Sequence, residues 1–463
     1  MAMMTMGPAP DAAMAQTPEP ADPHVWLEDV LGEKSLAWVR QRNEASQAVL
    51  QARPEFETIK REIREVLDST DRIPGVVRRG AWLYNFWQDA KSPRGVWRRT
   101  TLAEYRKEQP AWEVLLDLDA LGRTEGRSWV WGGSQCLPGE DTRCLLTLSP
   151  GGSDAAEVRE FDLVTRQFVK DGFFVPQAKS RVTWVDRDTL LLATDTGAGS
   201  LSDSGYPRVA RVWRRGTPLA ESRVVLELPR QEMGVFVGSD QTPGHQRVFL
   251  MRLVDFYRSE MLLLDVKALS ASMQSGAPAD PATFLKPVPK PADAQLTFWK
   301  DRVVMRLRSE WVQGGRTWPA GALLVMSAAS MMDGKPEPQA LFMPTARRSL
   351  SGYALTAKSV VLNVMQDVTS RLEVRQPAAA DWSTKTLPVA QTGTISVSAL
   401  HDPMVGADDE LAESLLVQYT DLLTPESVML ARTDRAALEA LKSRSSLFDS
   451  KDMRLEQRFA TSK

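Results

Sequence analysis

The spacing of hydrophobic positions changes once along the chain, near residue 72. Between Glu33 and Asp68 the apolar residues recur at helical spacing, and Pro54 divides them into two stripes. The pattern therefore predicts a pair of helices. The stripes comprise Leu36, Val39, Val49 and Leu50 in the first segment and Phe56, Ile59, Ile63, Val66 and Leu67 in the second.

From about Arg72 onward, short β-branched and aromatic runs alternate with Gly, Pro, Asp and Asn, which is typical of an all-β domain. An apolar strand that ends near a polar turn recurs about every 50 residues, the spacing of a four-stranded propeller blade with its loops. Seven copies between Arg72 and Lys442 predict a mainly β fold, a seven-bladed β-propeller; a pair of β-sandwiches is the alternative. The copies lie at 114–117, 158–162, 210–213, 261–265, 323–326, 372–375 and 428–431.

Both ends of the chain differ in composition from its middle. Residues 1–21 are rich in Met, Ala and Pro, which predicts a disordered tail. Ala13-Met14-Ala15 also resembles a signal-peptidase site, although no Lys or Arg precedes it, so a signal-peptide remnant is the alternative. The compartment, cytoplasmic or periplasmic, therefore stays open. Residues 452–463 alternate like a strand but have no turn or partner strand, and they predict an interrupted element.

The net charge and the lengths of the apolar runs disfavour some classes of binding partner. The formal net charge is −2, from 57 Lys and Arg against 59 Asp and Glu, which favours neither nucleic acid nor an anionic membrane. No apolar run approaches the roughly 18 residues of a spanning helix. Two local segments are interpreted as loops: the acidic run Asp408-Asp409-Glu410 as a solvated one, and the Ser-, Gly- and Pro-rich segment 268–290 as a connection between blades.

The two cysteines, Cys136 and Cys144, flank the sequence Leu-Pro-Gly-Glu-Asp, which predicts a hairpin turn. Across such a hairpin they could form a disulfide in an oxidising compartment. A lone pair is not a disulfide framework, so two buried thiols are favoured. The absence of nearby ligands disfavours zinc. We predict no metal and no cofactor.

The segment Asp22-Pro23-His24-Val25-Trp26-Leu27-Glu28-Asp29 closely resembles the opening of prolyl oligopeptidases, and the likeness extends to Lys463. That family combines a propeller with an α/β-hydrolase domain. The resemblance implies a helical segment at 22–71 that packs on the hydrolase domain, the propeller at 72–445, and the first strand of the hydrolase domain at 446–463, with the rest of that domain absent from the chain. Further matching segments are 84–89, 93–100, 204–208 and 213–217.

The resemblance implies serine-peptidase chemistry, but no catalytic residue is predicted in this chain. A hydrolase nucleophile requires a Gly-x-Ser-x-Gly elbow. Ser134 and Ser153 each follow two glycines, but Cys136 and Ala155 occupy the second glycine position, so both are interpreted as loop serines. A catalytic base needs such a serine as its partner. The histidines that lack one are His24, His245 and His401.

By resemblance, the propeller covers the active site and admits only short, flexible peptides. Candidate peptide contacts are Tyr206, Arg208, Arg214 and Arg215, because arginine pairs with peptide carboxylates and carbonyls. The alternative is that these residues form a strand edge and its solvated face.

The sequence leads to one functional hypothesis and two rivals. Together with a hydrolase domain as partner, the protein is expected to hydrolyse short peptides after proline through an acyl-enzyme, whereas this chain alone is expected to be inactive. One rival is specificity for basic residues, as in oligopeptidase B. The other is a propeller without catalysis that binds peptides or a partner protein.

Overall fold

The computed structural model describes residues 22–461, except 141, 276–279, 379–380, 391, 436 and 447. The chain divides into two compact units, the first ending at Ser69 and the second beginning at Thr70. The predicted tail or signal-peptide remnant at 1–21 lies outside the described residues. None of the described helices is long and apolar enough to cross a membrane.

The first unit contains the two helices that the sequence predicts. A 3-10 turn, Val25–Glu28, precedes α1 (Glu33–Gln51) and α2 (Phe56–Asp68). The Ser35 hydroxyl donates to the Trp26 carbonyl at 2.8 Å, which ties the turn to α1. The apolar stripe of α2 remains exposed, from 48% to 65%, at Ile59, Ile63, Val66 and Leu67.

The second unit is a seven-bladed β-propeller, in which each blade is an antiparallel sheet. Blade 1 comprises β1 (Val77–Arg79), β2 (Trp82–Trp87), β3 (Val96–Thr101) and β4 (Glu113–Asp117). Blade 2 comprises β5 (Trp129–Cys136), β6 (Arg143–Pro150), β7 (Ala156–Asp162), β8 (Gln167–Phe168) and β9 (Phe174–Ala178). Blade 3 comprises β10 (Arg181–Asp186), β11 (Thr189–Ala193), β12 (Val209–Arg214) and β13 (Arg223–Glu227).

The remaining four blades follow in chain order. Blade 4 comprises β14 (Gly234–Asp240), β15 (Arg247–Leu253), β16 (Ser259–Leu264) and β17 (Leu285–Pro287). Blade 5 comprises β18 (Gln295–Trp299), β19 (Arg302–Arg306), β22 (Leu323–Ser327) and β23 (Gln339–Phe342), with the inserted hairpin β20 (Trp311–Gln313) and β21 (Arg316–Trp318). Blade 6 comprises β24 (Arg348–Leu355), β25 (Val360–Gln366), β26 (Thr369–Pro377) and β27 (Trp382–Thr386). Blade 7 comprises β28 (Thr394–Ala399), β29 (Ser414–Thr420), β30 (Ser427–Arg432) and β31 (Leu438–Ser443).

Short helices connect some of these strands: α3 (Leu102–Tyr105), α4 (Leu118–Glu125), α5 (Val266–Ser275) and α6 (Ala328–Met332), with 3-10 turns at Leu219–Glu221 and Pro281–Thr283. The interpretation of 268–290 as a loop is therefore wrong at its start, where α5 begins on the side-chain cap of Asp265, whose Oδ1 accepts from the Ala268 amide, and again at β17, the fourth strand of blade 4. The described residues of 444–461 form neither helix nor strand. Their assignment to a hydrolase strand stays a prediction.

The antiparallel order of strands gives the ring two distinct faces. Four strands alternate in direction in a blade, and in blade 2 both β8 and β9 run antiparallel to β7. The chain therefore enters and leaves each blade on the same side, beginning at Val77 in blade 1 and ending at Ser443 in blade 7. We call this side the proximal face. On the opposite side, the distal face, the first strand of each blade turns into the second. Ends of first strands from blades that are not neighbours line common cavities, so the first strands surround the central channel.

Blades 7 and 1 close the ring without sharing a strand, since each sheet is built from consecutive strands of its own. Arg78 pairs with Asp409 and also donates to the Leu400 carbonyl at 2.9 Å. The interpretation of Asp409 as part of a solvated loop is wrong, because its side chain is only 10% exposed. The apolar part of this seam comprises Leu83, Tyr105, Leu400, Leu416, Val428, Leu430 and Leu441.

Candidate functional site

The channel wall formed by blades 5, 6 and 7 is rich in neutral hydroxyl groups. In β28 the exposed residues Thr394, Ser396 and Ser398 alternate with buried or half-buried ones such as Ile395, as a strand's period of two dictates. Hydroxyls both donate and accept hydrogen bonds, so this wall can bind a peptide backbone without selecting for charge. The corresponding exposed residues of the other two first strands are Gln295, Thr297, Ser349 and Ser351.

Two cavities adjoin at the distal mouth of the channel. The first, of about 410 Å³, is lined by residues at the ends of first strands, and in the turns that follow them, in blades 1, 2, 4 and 7. The second, of about 460 Å³, is lined by residues of blades 4 to 7. Blades 4 and 7 are not neighbours, so both cavities reach across the axis. They share Ser239, Asp240, Thr242 and Pro403.

Charged side chains at this mouth are hydrogen-bonded within the protein. Asp240 accepts from the Arg247 guanidinium at 3.1 Å and from the Thr242 hydroxyl at 2.6 Å. Arg247 also donates to the Lys300 carbonyl at 2.7 Å, and the Lys300 ammonium donates to the Ala357 carbonyl at 2.8 Å. These contacts join blade 4 to blade 5 and blade 5 to blade 6. The charges therefore fix the shape of the mouth.

His401 lines the second cavity. Burial lowers the pKa of its imidazole, and the nearby Lys300 ammonium lowers it further, although Asp402, Glu413 and Asp409 act in the opposite direction. The ring is therefore neutral at pH 7. Its Nδ1 has no hydrogen-bond partner among the described residues.

The structure separates the four predicted peptide contacts into two pairs. Tyr206 and Arg208 precede β12 on the proximal face, whereas Arg214 ends that strand and Arg215 follows it on the distal face. A six-residue strand is about 20 Å long, so the two pairs do not form one site. The Lys179 ammonium lies over the Tyr206 ring, 4.8 Å from its centroid.

Arg208 and Arg215 are held by partners within the chain. Arg208 donates to Glu227 at 2.8 Å. Arg215 binds both carboxylate oxygens of Glu160, at 2.7 and 3.0 Å. Arg214 is exposed. Contact of these residues with a peptide stays a prediction.

Sequence reasoning missed the side chains of the second cavity because they resemble ordinary core residues. They are Phe249, Met251 and Met261 of blade 4 and Leu296 and Phe298 of blade 5. One signal was present in the sequence: Gly238 lies within a strand, where an isolated glycine often marks a close approach.

Cys136 lines the first cavity and forms a disulfide with Cys144. The preference for two thiols is therefore wrong in this structure, while the hairpin between them is present. The register of β5 and β6 places the two cysteines directly opposite each other. Cys144 is fully buried, and the Arg79 guanidinium lies 2.7 Å from the Cys136 sulfur.

Reduction with dithiothreitol is expected to lower the free energy of unfolding by about 2–3 kcal/mol, because the bond closes a short loop in the unfolded chain. Urea unfolding with and without reductant measures this difference. The double variant C136S/C144S should not respond to reductant. Two thiols that react with an alkylating agent in the unreduced, denatured protein would contradict the disulfide.

The family model for the prolyl oligopeptidase N-terminal beta-propeller domain matches residues 10–444. The chain belongs to this family. Its relatives include an uncharacterized peptidase of Sinorhizobium fredii, 30% identical over 449 residues, or 96% of this chain and 59% of the relative. An uncharacterized peptidase of Rickettsia prowazekii is 28% identical over 94% of this chain and 60% of its own length. The chain thus spans about 60% of the length of these curated relatives.

Solved structures of peptidases share the fold. A post-proline cleaving enzyme from Rickettsia typhi has a TM-score of 0.81 at 26% identity, with the match covering 94% of this chain and 62% of that one. Oligopeptidase B from Leishmania major has a TM-score of 0.68 at 14% identity, covering 95% and 58%. At this low identity, the match to the Leishmania major enzyme shows similarity of fold alone. This prolyl oligopeptidase propeller is therefore a domain of the kind found in full-length peptidases.

Proposed function

We propose that the chain is the substrate-gating propeller of a serine peptidase that hydrolyses short peptides after proline. The similarity to the post-proline cleaving enzyme from Rickettsia typhi carries this proposal, because it extends over 94% of this chain. That enzyme is longer than the matched region, and the proposal assigns the catalytic residues to a hydrolase domain corresponding to its remainder.

The proximal face supports a docked hydrolase domain. Exposed apolar residues occupy the connections between second and third strands in four successive blades: Phe256, Val312, Val368 and Leu422, which are 65% to 84% exposed. Large apolar residues exposed together mark an interaction surface. The propeller also begins and ends on this face, so a domain linked to either end would lie against it.

The hydroxyl-rich channel wall of blades 5, 6 and 7 supports gating rather than charge selection. Its exposed hydroxyls suit the backbone of any short peptide, while the paired charges and buried seam of the ring hinder passage of a folded protein. Proline specificity is proposed over specificity for basic residues because the post-proline cleaving enzyme from Rickettsia typhi is 26% identical to this chain, whereas the oligopeptidase B structures, at 14% and 16%, are similar in fold alone.

The test is immunoaffinity capture of the native protein, followed by intact mass spectrometry and peptidase assays. We expect a polypeptide heavier than 51.5 kDa that cleaves a blocked Gly-Pro p-nitroanilide faster than the Gly-Arg analogue. The recombinant 463-residue chain serves as the control and should cleave neither substrate. A captured polypeptide of this chain's own mass, or faster Gly-Arg cleavage, would refute the proposal.

A further inference from the structure

The second distal cavity extends from the channel into the space between blades 4 and 5. Its floor is apolar and is formed by Phe249, Met251 and Met261 from one blade and Leu296 and Phe298 from the other. Of these, only Met261 is fully buried, at 4% exposure. A volume of about 460 Å³ lies in the range of small-ligand sites.

A glycine keeps this cavity open. Gly238 of β14 pairs with Phe249 of β15, and a Cβ added at Gly238 would lie 2.5 Å from Cζ of the Phe249 ring. The ring therefore lies across the glycine. Any larger residue at position 238 would displace the ring from its place beside the cavity. Met251 and Met261 add flexible, polarisable side chains that adapt to ligands of different shape.

The rim of the cavity offers neutral hydrogen-bonding groups. The Thr297 hydroxyl lies 3.0 Å from the Tyr353 hydroxyl, and the Ser239 hydroxyl lies 2.9 Å from that of Thr183. Of the lining charges, Asp240 is paired with Arg247, and the Lys300 ammonium already donates to the Ala357 carbonyl. Burial of a charge against the apolar floor would require desolvation without a partner there, which is costly. An uncharged ligand is therefore favoured.

The geometry points to an exosite that binds one bulky, uncharged apolar side chain of a peptide lying in the distal mouth. The side chain enters the space between blades 4 and 5, while the rim hydroxyls bind the peptide backbone. This site opens at the distal mouth, whereas the exposed apolar residues Phe256, Val312, Val368 and Leu422 lie on the proximal face. It belongs to this chain alone and requires no hydrolase domain.

The test uses the 463-residue chain with ¹³C-methyl-labelled methionine and three blocked peptides: acetyl-Gly-Phe-Gly-amide, the Ala analogue and the Glu analogue. The methyl signals of Met251 and Met261, assigned by Met→Leu variants, should shift saturably with the Phe peptide. The Ala peptide should bind at least about tenfold more weakly, because it buries less apolar area, and the Glu peptide should cause no shift. Met365, which is 39% exposed on the proximal face, is the internal control.

Two blocking variants test the location. Leu296→Trp fills the cavity and should weaken binding of the Phe peptide at least about tenfold, since the apolar contact is lost. Leu422→Trp makes the same change in an exposed turn and should leave binding unchanged. Gly238→Ala, which pushes the Phe249 ring, is the second blocking variant if Leu296→Trp does not fold.

Equal affinity for the Phe and Ala peptides, no shift of either methionine, or undiminished binding in a folded blocking variant would overturn the exosite. The wild-type peptide series decides the question even if both blocking variants fail to fold. None of the three peptides contains proline or a cleavable anilide, so failure here leaves the proposed peptidase function to its own test.

Discussion

Replacing Arg78 by methionine is expected to lower the free energy of unfolding by about 3–4 kcal/mol, because it leaves a buried carboxylate without its partner. The Arg78 and Asp409 side chains are 6% and 10% exposed, and Nη2 of Arg78 donates to Asp409 at 2.9 Å. Since no strand is shared between blades 7 and 1, this pair is a main polar link of the seam. Urea unfolding measures the loss, and limited proteolysis measures opening of the ring.

Arg106→Gln provides the matched control at the same seam. Arg106 pairs with Glu439, but their side chains are 43% and 45% exposed. An exposed pair contributes less than about 1 kcal/mol. Equal destabilisation by Arg106→Gln and Arg78→Met would show that burial of the Arg78 pair does not strengthen the seam.

The effect of Arg78→Met should depend on pH. Burial raises the pKa of Asp409, but the hydrogen bond and charge of Arg78 outweigh burial, and the net pKa lies below its ordinary value. The stabilisation from this depressed pKa is present above the unfolded value of about 3.9 and is lost as pH falls through the folded value. The difference between wild type and Arg78→Met should therefore shrink below about pH 4. A difference that is constant with pH would contradict this role of the carboxylate.

The blade count was predictable because the third strand of a blade carries a strong local signal. In six of the seven blades the recurring apolar run is the third strand; in β22, for example, Leu323, Leu324, Val325 and Met326 are all buried. Such a strand lies between two others in its sheet and packs against neighbouring blades on both faces, which favours apolar residues, although β7 and β26 also contain charged ones. Blade 1 departs from this pattern. Its third strand, β3, contains two consecutive arginines, and the recurring run at 114–117 is the fourth strand instead.

The contacts between blades were not predictable from local pattern. Arg78 and Asp409 are 331 residues apart, and each lies in a polar segment that gives no sign of burial. The distal cavities were not predictable for the same reason, since residues of blades 4 and 7 come together only when the ring closes. Sequence periodicity indicates which residues are buried within a blade, but it does not show which charged side chains pair between blades.

Polar links between neighbouring blades recur at a constant sequence separation on the distal face. The Trp299 indole donates to the Thr356 carbonyl at 2.9 Å, and the Thr356 hydroxyl donates to Glu413 at 2.9 Å, each across 57 residues. The same separation joins Gln241 to the Trp184 carbonyl. Each link joins residues in the distal half of a first strand, or in the turn after it, to those of a neighbouring blade. These hydrogen bonds hold the blades together at the distal mouth, which suits a preformed binding site.

Glu160, in the third strand of blade 2, forms a further polar link between blades 2 and 3, and one of the predicted peptide contacts is its partner. Its side chain is 1% exposed and accepts two hydrogen bonds from Arg215 and one from the Phe173 amide. Arg143 lies 3.6 Å away. Burial of a carboxylate is costly unless the carboxylate is paired, so Arg215 stabilises the fold whether or not a peptide also contacts it.

Arg215→Met is therefore expected to lower the free energy of unfolding by about 3 kcal/mol, because Glu160 keeps only the more distant Arg143 as its cationic partner. The adjacent Arg214 is exposed, so Arg214→Met is the matched control and should change stability by less than about 0.5 kcal/mol. Urea unfolding of both variants measures the difference. Equal stability of the two variants would show that Arg215 does not stabilise the fold, and Arg215 would then remain a candidate peptide contact only.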